Sequence, residues 1–135
     1  MDIQTTLNKA TNILKDNKIK SPSLDSEILL SKVINKGRKY VILNGKENLK
    51  IRHLNSFNNL IERRKKGEPI AYLINKKEFW KNEFYVDTNV LIPRPDTEII
   101  VDHVLRFSMK NSQLNILDIG IGSGCILLSL LKERP

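Results

Sequence analysis

The sequence predicts an α+β chain with its helices first, and three observations point there. Apolar residues recur at spacings of three and four through residues 1–66. Short aromatic and β-branched runs follow between 67 and 92, and a strand, a glycine-rich turn and a helix occupy the end of 93–135. The expected parts are an N-terminal helical bundle at 1–66, a β-hairpin linker at 67–92 and the beginning of a second domain at 93–135.

Ile3, Leu7, Ala10, Ile13 and Leu14 share one face of a first helix expected to end near Asp16-Asn17. Ser21-Pro22-Ser23 offers a turn and hydroxyl caps to a second helix, which carries Leu24, Ile28, Leu29 and Val33 and ends before Gly37. Asp25 and Glu27 suit its first turn, where the helix dipole favours negative charge. Tyr40-Val41-Ile42-Leu43 reads as a short helix closed by the turn signal Asn44-Gly45. Leu49, Ile51, Leu54, Phe57, Leu60 and Ile61 mark a further helix that runs into Glu62-Arg63-Arg64-Lys65-Lys66 and stops at Gly67.

Beyond Gly67, the runs Glu78-Phe79-Trp80, Phe84-Tyr85-Val86 and Val90-Leu91-Ile92 read as short strands, with the aromatic residues as hairpin packing. Pro93 and Pro95 stop strand pairing, and Pro95 is placed to start a helix whose apolar face is Ile99, Ile100, Val104, Leu105 and Phe107. Asn115-Ile116-Leu117-Asp118-Ile119 has the compact apolar pattern of a buried strand. A glycine turn and the helical run Cys125–Leu131 follow it.

Composition excludes several classes of protein. Hydrophobic residues make up 40% and charged residues 28% of the 135, which is unlike a disordered chain. No apolar run approaches the roughly 20 residues needed to span a bilayer, so no membrane role is expected. The N-terminus lacks a basic segment followed by an apolar one, as a secretory signal would have. Cys125 is the lone cysteine and has no metal-ligand neighbours, so neither a disulfide nor a metal site is expected, and a reduced cytoplasm fits. The two histidines, His53 and His103, lie in helical segments without a ligand set.

Net charge is lopsided. Residues 1–66 hold 15 Lys/Arg against 6 Asp/Glu, and residues 67–135 hold 8 against 9, so nearly all of the +8 sits in the front. A basic front can meet phosphate or an acidic protein surface. A chain rich in Lys, Asn and Ile together also arises from nucleotide bias, so nucleic-acid contact is expected only indirectly or weakly.

Chemistry is concentrated in Asp118-Ile119-Gly120-Ile121-Gly122-Ser123-Gly124. Alternate glycines between a strand and a helix let backbone approach a ligand where a Cβ would collide. A phosphate-cradling P-loop would continue Gly-Lys-Ser/Thr, whereas Cys125-Ile126 follows Gly124. A dinucleotide fingerprint needs glycine three positions after Gly122, where Cys125 stands. A cofactor loop of another kind and a turn with only a packing role both remain open on spacing alone.

A second motif decides between them. Gly67-Glu68-Pro69-Ile70-Ala71-Tyr72-Leu73, Phe79 and Val90-Leu91-Ile92-Pro93-Arg94-Pro95-Asp96-Thr97-Glu98 resemble the signature stretch of the release factor glutamine methyltransferase family, the HemK/PrmC type. Leu24-Asp25-Ser26-Glu27-Ile28-Leu29-Leu30 in the front domain extends the likeness over the whole chain. Asp96 stands where the family usually has Glu, Asn75 where it usually has Gly, and Ile121 where it usually has Thr.

The resemblance implies that 93–135 begins a Rossmann-like class I methyltransferase domain and that the cofactor is S-adenosyl-L-methionine. It implies that Gly120, Ile121, Gly122, Ser123 and Gly124 wrap the methionine and ribose side of the cofactor, with Asp118 supporting the loop and the cofactor's amino group. Asp118 could equally be satisfied by backbone N–H groups of its own turn. Pro93, Arg94, Pro95, Thr97 and Glu98 would form a stiff pocket wall. The alternatives are helix first-turn bonds for Thr97 and Glu98 and a surface ion pair for Arg94.

The reaction implied is methyl transfer to the side-chain amide of a glutamine in peptide chain release factors, which would be the partners. The family presents that amide with an Asn-Pro-Pro-Tyr element, which these 135 residues do not contain, so no catalytic residue is assigned. The chain is expected to be an N-terminal fragment, inactive by itself. A non-catalytic module docking on a release factor or ribosomal component, and a methyltransferase acting on another protein glutamine or a nucleic-acid base, are the competing readings.

Overall fold

Asp2 begins the first helix as its N-cap: the Thr5 backbone N–H donates to Asp2 Oδ1 at 2.7 Å, and the Thr5 hydroxyl reaches Oδ2 at 3.1 Å. Helix α1 then runs Ile3–Asp16. This computed structural model describes residues 1–108 and 115–134. Among the described residues there are seven α-helices, one 3-10 turn and one two-stranded antiparallel sheet, an α+β composition dominated by helix. The chain divides into two units, Met1–Ile74 and Asn75–Pro135.

The first unit adds α2 (Pro22–Ile34), α3 (Arg38–Leu43), α4 (Ile51–Lys65) and α5 (Ile70–Ile74). Its core takes Ile3, Leu7, Ala10 and Leu14 from α1, Leu29 and Leu30 from α2, Val41 from α3, Phe57 and Ile61 from α4 and Leu73 from α5. The three-and-four spacing therefore builds these helices as expected, although Ile13 is displaced from the buried stripe and left 39% exposed. Ser21 makes no side-chain capping bond; Pro22 at the first helical position presets the backbone instead. Asn35, at φ +53, ends α2 in the left-handed conformation that asparagine tolerates, and Gly67, at φ +93, follows α4.

Helix α5 was not anticipated. Residues 70–74 fall in the stretch read from sequence as hairpin linker, but they form one helical turn with Ala71 and Leu73 buried, so the first unit continues past residue 66 to Ile74. A single turn has too few apolar positions to show a period. Charged groups fix this exit from the bundle. Arg64 Nε bonds Asp25 Oδ2 at 2.7 Å, Arg64 Nη1 donates to the Glu68 carbonyl at 2.9 Å, and Lys32 Nζ donates to the Ile74 carbonyl at 2.8 Å.

Asp2 makes the unit pH-sensitive. The Thr5 backbone N–H, and after it the Thr5 hydroxyl, hold the Asp2 carboxyl below the usual carboxylate range. Because the folded-state pKa is the lower one, this cap stabilises the fold above the unfolded pKa and is lost as pH falls through the folded value. Asp2→Ala is expected to melt at lower urea than the parent chain at pH 6. The gap should close in acid; a gap constant with pH would show that the carboxylate does not act as the cap.

The second unit begins at Asn75, whose φ of +58 is the conformation glycine adopts most easily, which explains why asparagine can replace the resembled family's usual glycine there. Strand β1 (Lys77–Phe79) pairs antiparallel with β2 (Asn82–Phe84), Phe79 opposite Asn82, so Trp80-Lys81 forms the tight turn. Trp80 enters it at φ +55. The phenyl rings of Phe79 and Phe84 meet edge-on, 6.2 Å between centroids. They pack with Val101 of α6 (Glu98–Ser108) and Cys125 and Leu130 of α7 (Cys125–Glu133). Tyr85, expected to join this packing, is 69% exposed.

Two expected strands do not form. Val90-Leu91-Ile92 is irregular with Leu91 73% exposed, because Asp87 Oδ1 draws the Asn89 N–H into a local turn and Pro93 then removes a donor. Asn115–Ile119 is irregular and has no ladder partners among the described residues, Leu117 being 83% and Ile119 87% exposed. A buried strand needs neighbours on its edges, and among the described residues the sheet is β1 and β2 alone. Likewise, α6 turns Val101 to the core and leaves Ile99 67% and Phe107 65% exposed, since it is apolar on more than one face. The expected domain at 93–135 includes residues 109–114 and 135, which lie outside the described residues.

Candidate functional site

The glycine turn adopts the conformations its spacing implied. Gly120, Gly122 and Gly124 have φ values of +81, +54 and +76, all in the left-handed region. The Gly124 N–H donates to the Ile121 carbonyl at 2.8 Å, closing a tight turn, and the Gly124 carbonyl accepts from Leu128 N–H at 2.9 Å as the first bond of α7. Gly124 is thus the N-cap of α7, and no side chain caps the helix. A Cβ on Gly120 would meet nothing within 4 Å and one on Gly122 only the Gly120 carbonyl at 3.8 Å, so backbone at both points faces open space.

Gly124 is different. A Cβ there would lie 3.2 Å from Leu128 Cδ1, on a backbone that L-residues avoid. Gly124→Ala is expected to destabilise the second unit by about 1–2 kcal/mol, the cost of one left-handed alanine. Thermal unfolding checks it; an unchanged midpoint would mean that the turn relaxes to another shape.

Asp118 is half-buried just before the turn, and its carboxylate meets no donor among the described residues, so the backbone-satisfied alternative for it is not realised. Ile121 is 51% exposed, while Ser123 is half-buried. An acceptor carboxylate, open backbone at Gly120 and Gly122 and a helix start without a side-chain cap suit a ligand with ammonium and hydroxyl groups, as S-adenosyl-L-methionine has.

The proline segment is ordered by its own chemistry. Arg94 is extended, Pro95–Thr97 forms the 3-10 turn, and the Thr97 N–H donates to the Arg94 carbonyl at 3.0 Å. Pro93 is buried and Arg94 and Pro95 are exposed. The Arg94 guanidinium has no carboxylate within 4.0 Å among the described residues, so it is not the surface ion pair considered above. Glu98 puts its charge in the first turn of α6, and its Oε1 also accepts the Trp80 backbone N–H at 2.8 Å, holding the left-handed hairpin turn.

The sequence places Trp80 in the hairpin packing, where it lies, but does not show its bond to Glu133. Trp80 Nε1 and Lys81 Nζ both donate to Glu133 Oε1, at 2.8 and 2.7 Å. The Lys81 bond first, and the Trp80 bond second, pull the Glu133 carboxyl below its usual range. The hairpin tip is therefore fastened to the start of α6 through Glu98 and to the end of α7 through Glu133. No period or motif marks partners so far apart in the chain.

Known proteins resemble this chain along its whole length. The family described as PrmC N-terminal domain matches residues 5–74. A release factor glutamine methyltransferase of Salmonella typhimurium is 45% identical over 136 aligned positions, taking in 100% of this chain and 48% of the relative. One from Buchnera aphidicola is 47% identical, over 84% of this chain and 41% of the relative. A bifunctional methyltransferase of Rickettsia conorii is 40% identical, over 98% of this chain and 30% of the relative. The chain spans about half the length of the first of these.

Proposed function

This chain belongs to the PrmC N-terminal domain family of release factor glutamine methyltransferases, and from that premise we propose that it supplies the front unit and cofactor loop of an enzyme methylating release factors. The reaction would be S-adenosyl-L-methionine-dependent transfer to the side-chain amide of a glutamine, in the cytoplasm. The observation that carries the reading is the turn at Gly120–Gly124, three left-handed glycines leading into α7 just after Asp118, whose carboxylate meets no donor among the described residues, in a chain whose front matches this family.

The cofactor, when bound, brings a methyl group on a positively charged sulfur. Asp118 would accept from its amino group, a charge-assisted bond, and the Gly120 and Gly122 backbone would lie along it without a Cβ in the way. Ile121 and Ser123 would flank it, and Pro93, Arg94, Pro95, Thr97 and Glu98 would form the wall, kept in place by the Glu98 bond to Trp80. Residues 93–135 would begin a Rossmann-like class I domain. The exposed apolar residues of α6 and α7 support this, because helices laid on a parallel sheet are apolar over broad faces.

The front unit would recognise the release factor, its positive charge meeting an acidic surface. Amide nitrogen is a weak nucleophile, so its orientation by fixed dipoles matters. Since these 135 residues have no Asn-Pro-Pro-Tyr element, the reading holds that they transfer no methyl group alone.

Saturation-transfer NMR of the chain with S-adenosyl-L-methionine should show saturable contact that Gly122→Val removes. Absence of contact in the parent chain would sink the loop assignment. In a parallel assay with labelled cofactor and release factor, label should stay off the release factor, and its appearance would overturn the claim of inactivity.

A further inference from the structure

Residues 36–53 hold six cations, Lys36, Arg38, Lys39, Lys46, Lys50 and Arg52, against the one carboxylate of Glu47. Within this stretch the first unit has a pocket of about 210 Å³, whose polar lining is Lys36, Tyr40, Glu47, Asn48, Lys50 and His53. Its carboxylate is already engaged. Tyr40 Oη donates to Glu47 Oε2 at 2.5 Å, and the same bond raises the Tyr40 pKa, so the phenol keeps its proton.

Neither lining ammonium is neutralised. Lys36 Nζ sits 5.4 Å from the centre of the Tyr40 ring, held by the face of the ring rather than by an acid. Neither Lys36 nor Lys50 has a carboxylate within 4.0 Å among the described residues. With Lys36 and Lys50 against the single carboxylate of Glu47, which already accepts from Tyr40, the lining carries a net positive charge that attracts an anion. The volume sets the size of that anion, since pockets for drug-sized ligands begin near 300 Å³. This one suits a single small oxyanion.

We propose that this pocket seats one phosphate group, gripped by Lys36 and Lys50 and oriented by N–H groups of Asn48 and His53. Ammonium-to-phosphate bonds are charge-assisted and supply the grip, while the amide and the imidazole select an acceptor-rich ion over chloride. Two sources carry the same chemistry, free inorganic phosphate and the phosphodiester of RNA. The seat lies in the Met1–Ile74 unit and does not depend on the methyltransferase reading.

The test is an NMR titration of the full chain with inorganic phosphate, ionic strength being held constant with sodium chloride. Saturating shifts at the Asn48 amide and the His53 ring are expected. Lys36→Ala with Lys50→Ala should weaken binding by about tenfold or more, the worth of one lost charged hydrogen bond. Lys9→Ala with Lys15→Ala, which removes equal charge from α1, should change it less than about twofold. Both pairs are exposed lysines, so the fold persists in each variant.

Shifts in the parent chain that never saturate, or equal weakening by the two pairs, would overturn the seat in favour of diffuse attraction. A single-stranded RNA oligonucleotide that shifts the same nuclei and is displaced by phosphate names RNA as the source. If RNA leaves those nuclei unmoved while phosphate saturates them, the source is the free ion.

Discussion

Arg64→Ala is expected to lower the stability of the Met1–Ile74 unit by about 3–5 kcal/mol, the usual loss when one partner of a buried ion pair is removed. The side chains of Asp25 and Arg64 are only 7% and 18% exposed, and their charges meet at 2.7 Å. Removing the guanidinium leaves the Asp25 carboxylate enclosed without a counter-charge and also frees the Glu68 carbonyl. Urea unfolding followed by far-ultraviolet circular dichroism measures the loss. The double change Asp25→Ala with Arg64→Ala should cost less than the two single losses added together, because neither charge is stranded. Strict additivity would show that the pair is not coupled.

Phe57→Ala should cost a similar amount, about 3–5 kcal/mol, for a different reason. The ring is 1% exposed at the centre of the first core, and its loss leaves a cavity that the surrounding helices fill only in part. Ile51 begins the same helix and is 73% exposed, so Ile51→Ala should stay within about 0.5 kcal/mol. The contrast tests the register of α4: comparable losses at the two positions would mean that the helix is rotated from the face described.

Periodicity made the front unit legible because it is a local property. Ile3, Leu7, Ala10 and Leu14 can be placed on one side of α1 with nothing known of what covers them, and the covering α2 and α4 follow by the same rule. Leu73 could not be placed in that way, since α5 is one turn long and is buried by its neighbours rather than by its own pattern. Asn115–Ile119 shows the opposite failure. Its apolar pattern is that of a buried strand, but pairing comes from other strands, and the described residues provide none beside it.

The candidate site divides along the same line. Left-handed backbone at Gly120, Gly122 and Gly124 was readable because glycine is the residue that adopts it freely. The second task of Glu98 was not readable. Its position at the start of α6 suggested a helix-end role, whereas its partner, the Trp80 N–H, lies 18 residues earlier and is exposed to it only because the hairpin turns there. Arg94 was read as paired or as wall, and among the described residues no carboxylate lies within 4.0 Å of it.

Trp80 is the chain's single tryptophan, and its indole is hydrogen-bonded in the second unit. The molecule thus carries one dominant fluorophore, and its emission colour reports whether the hairpin tip is still fastened to Glu133. Most of the helix belongs to the other unit, so ellipticity and emission watch different halves. Denaturation curves from the two signals will superimpose if the chain unfolds as one cooperative body and will separate if each half melts by itself.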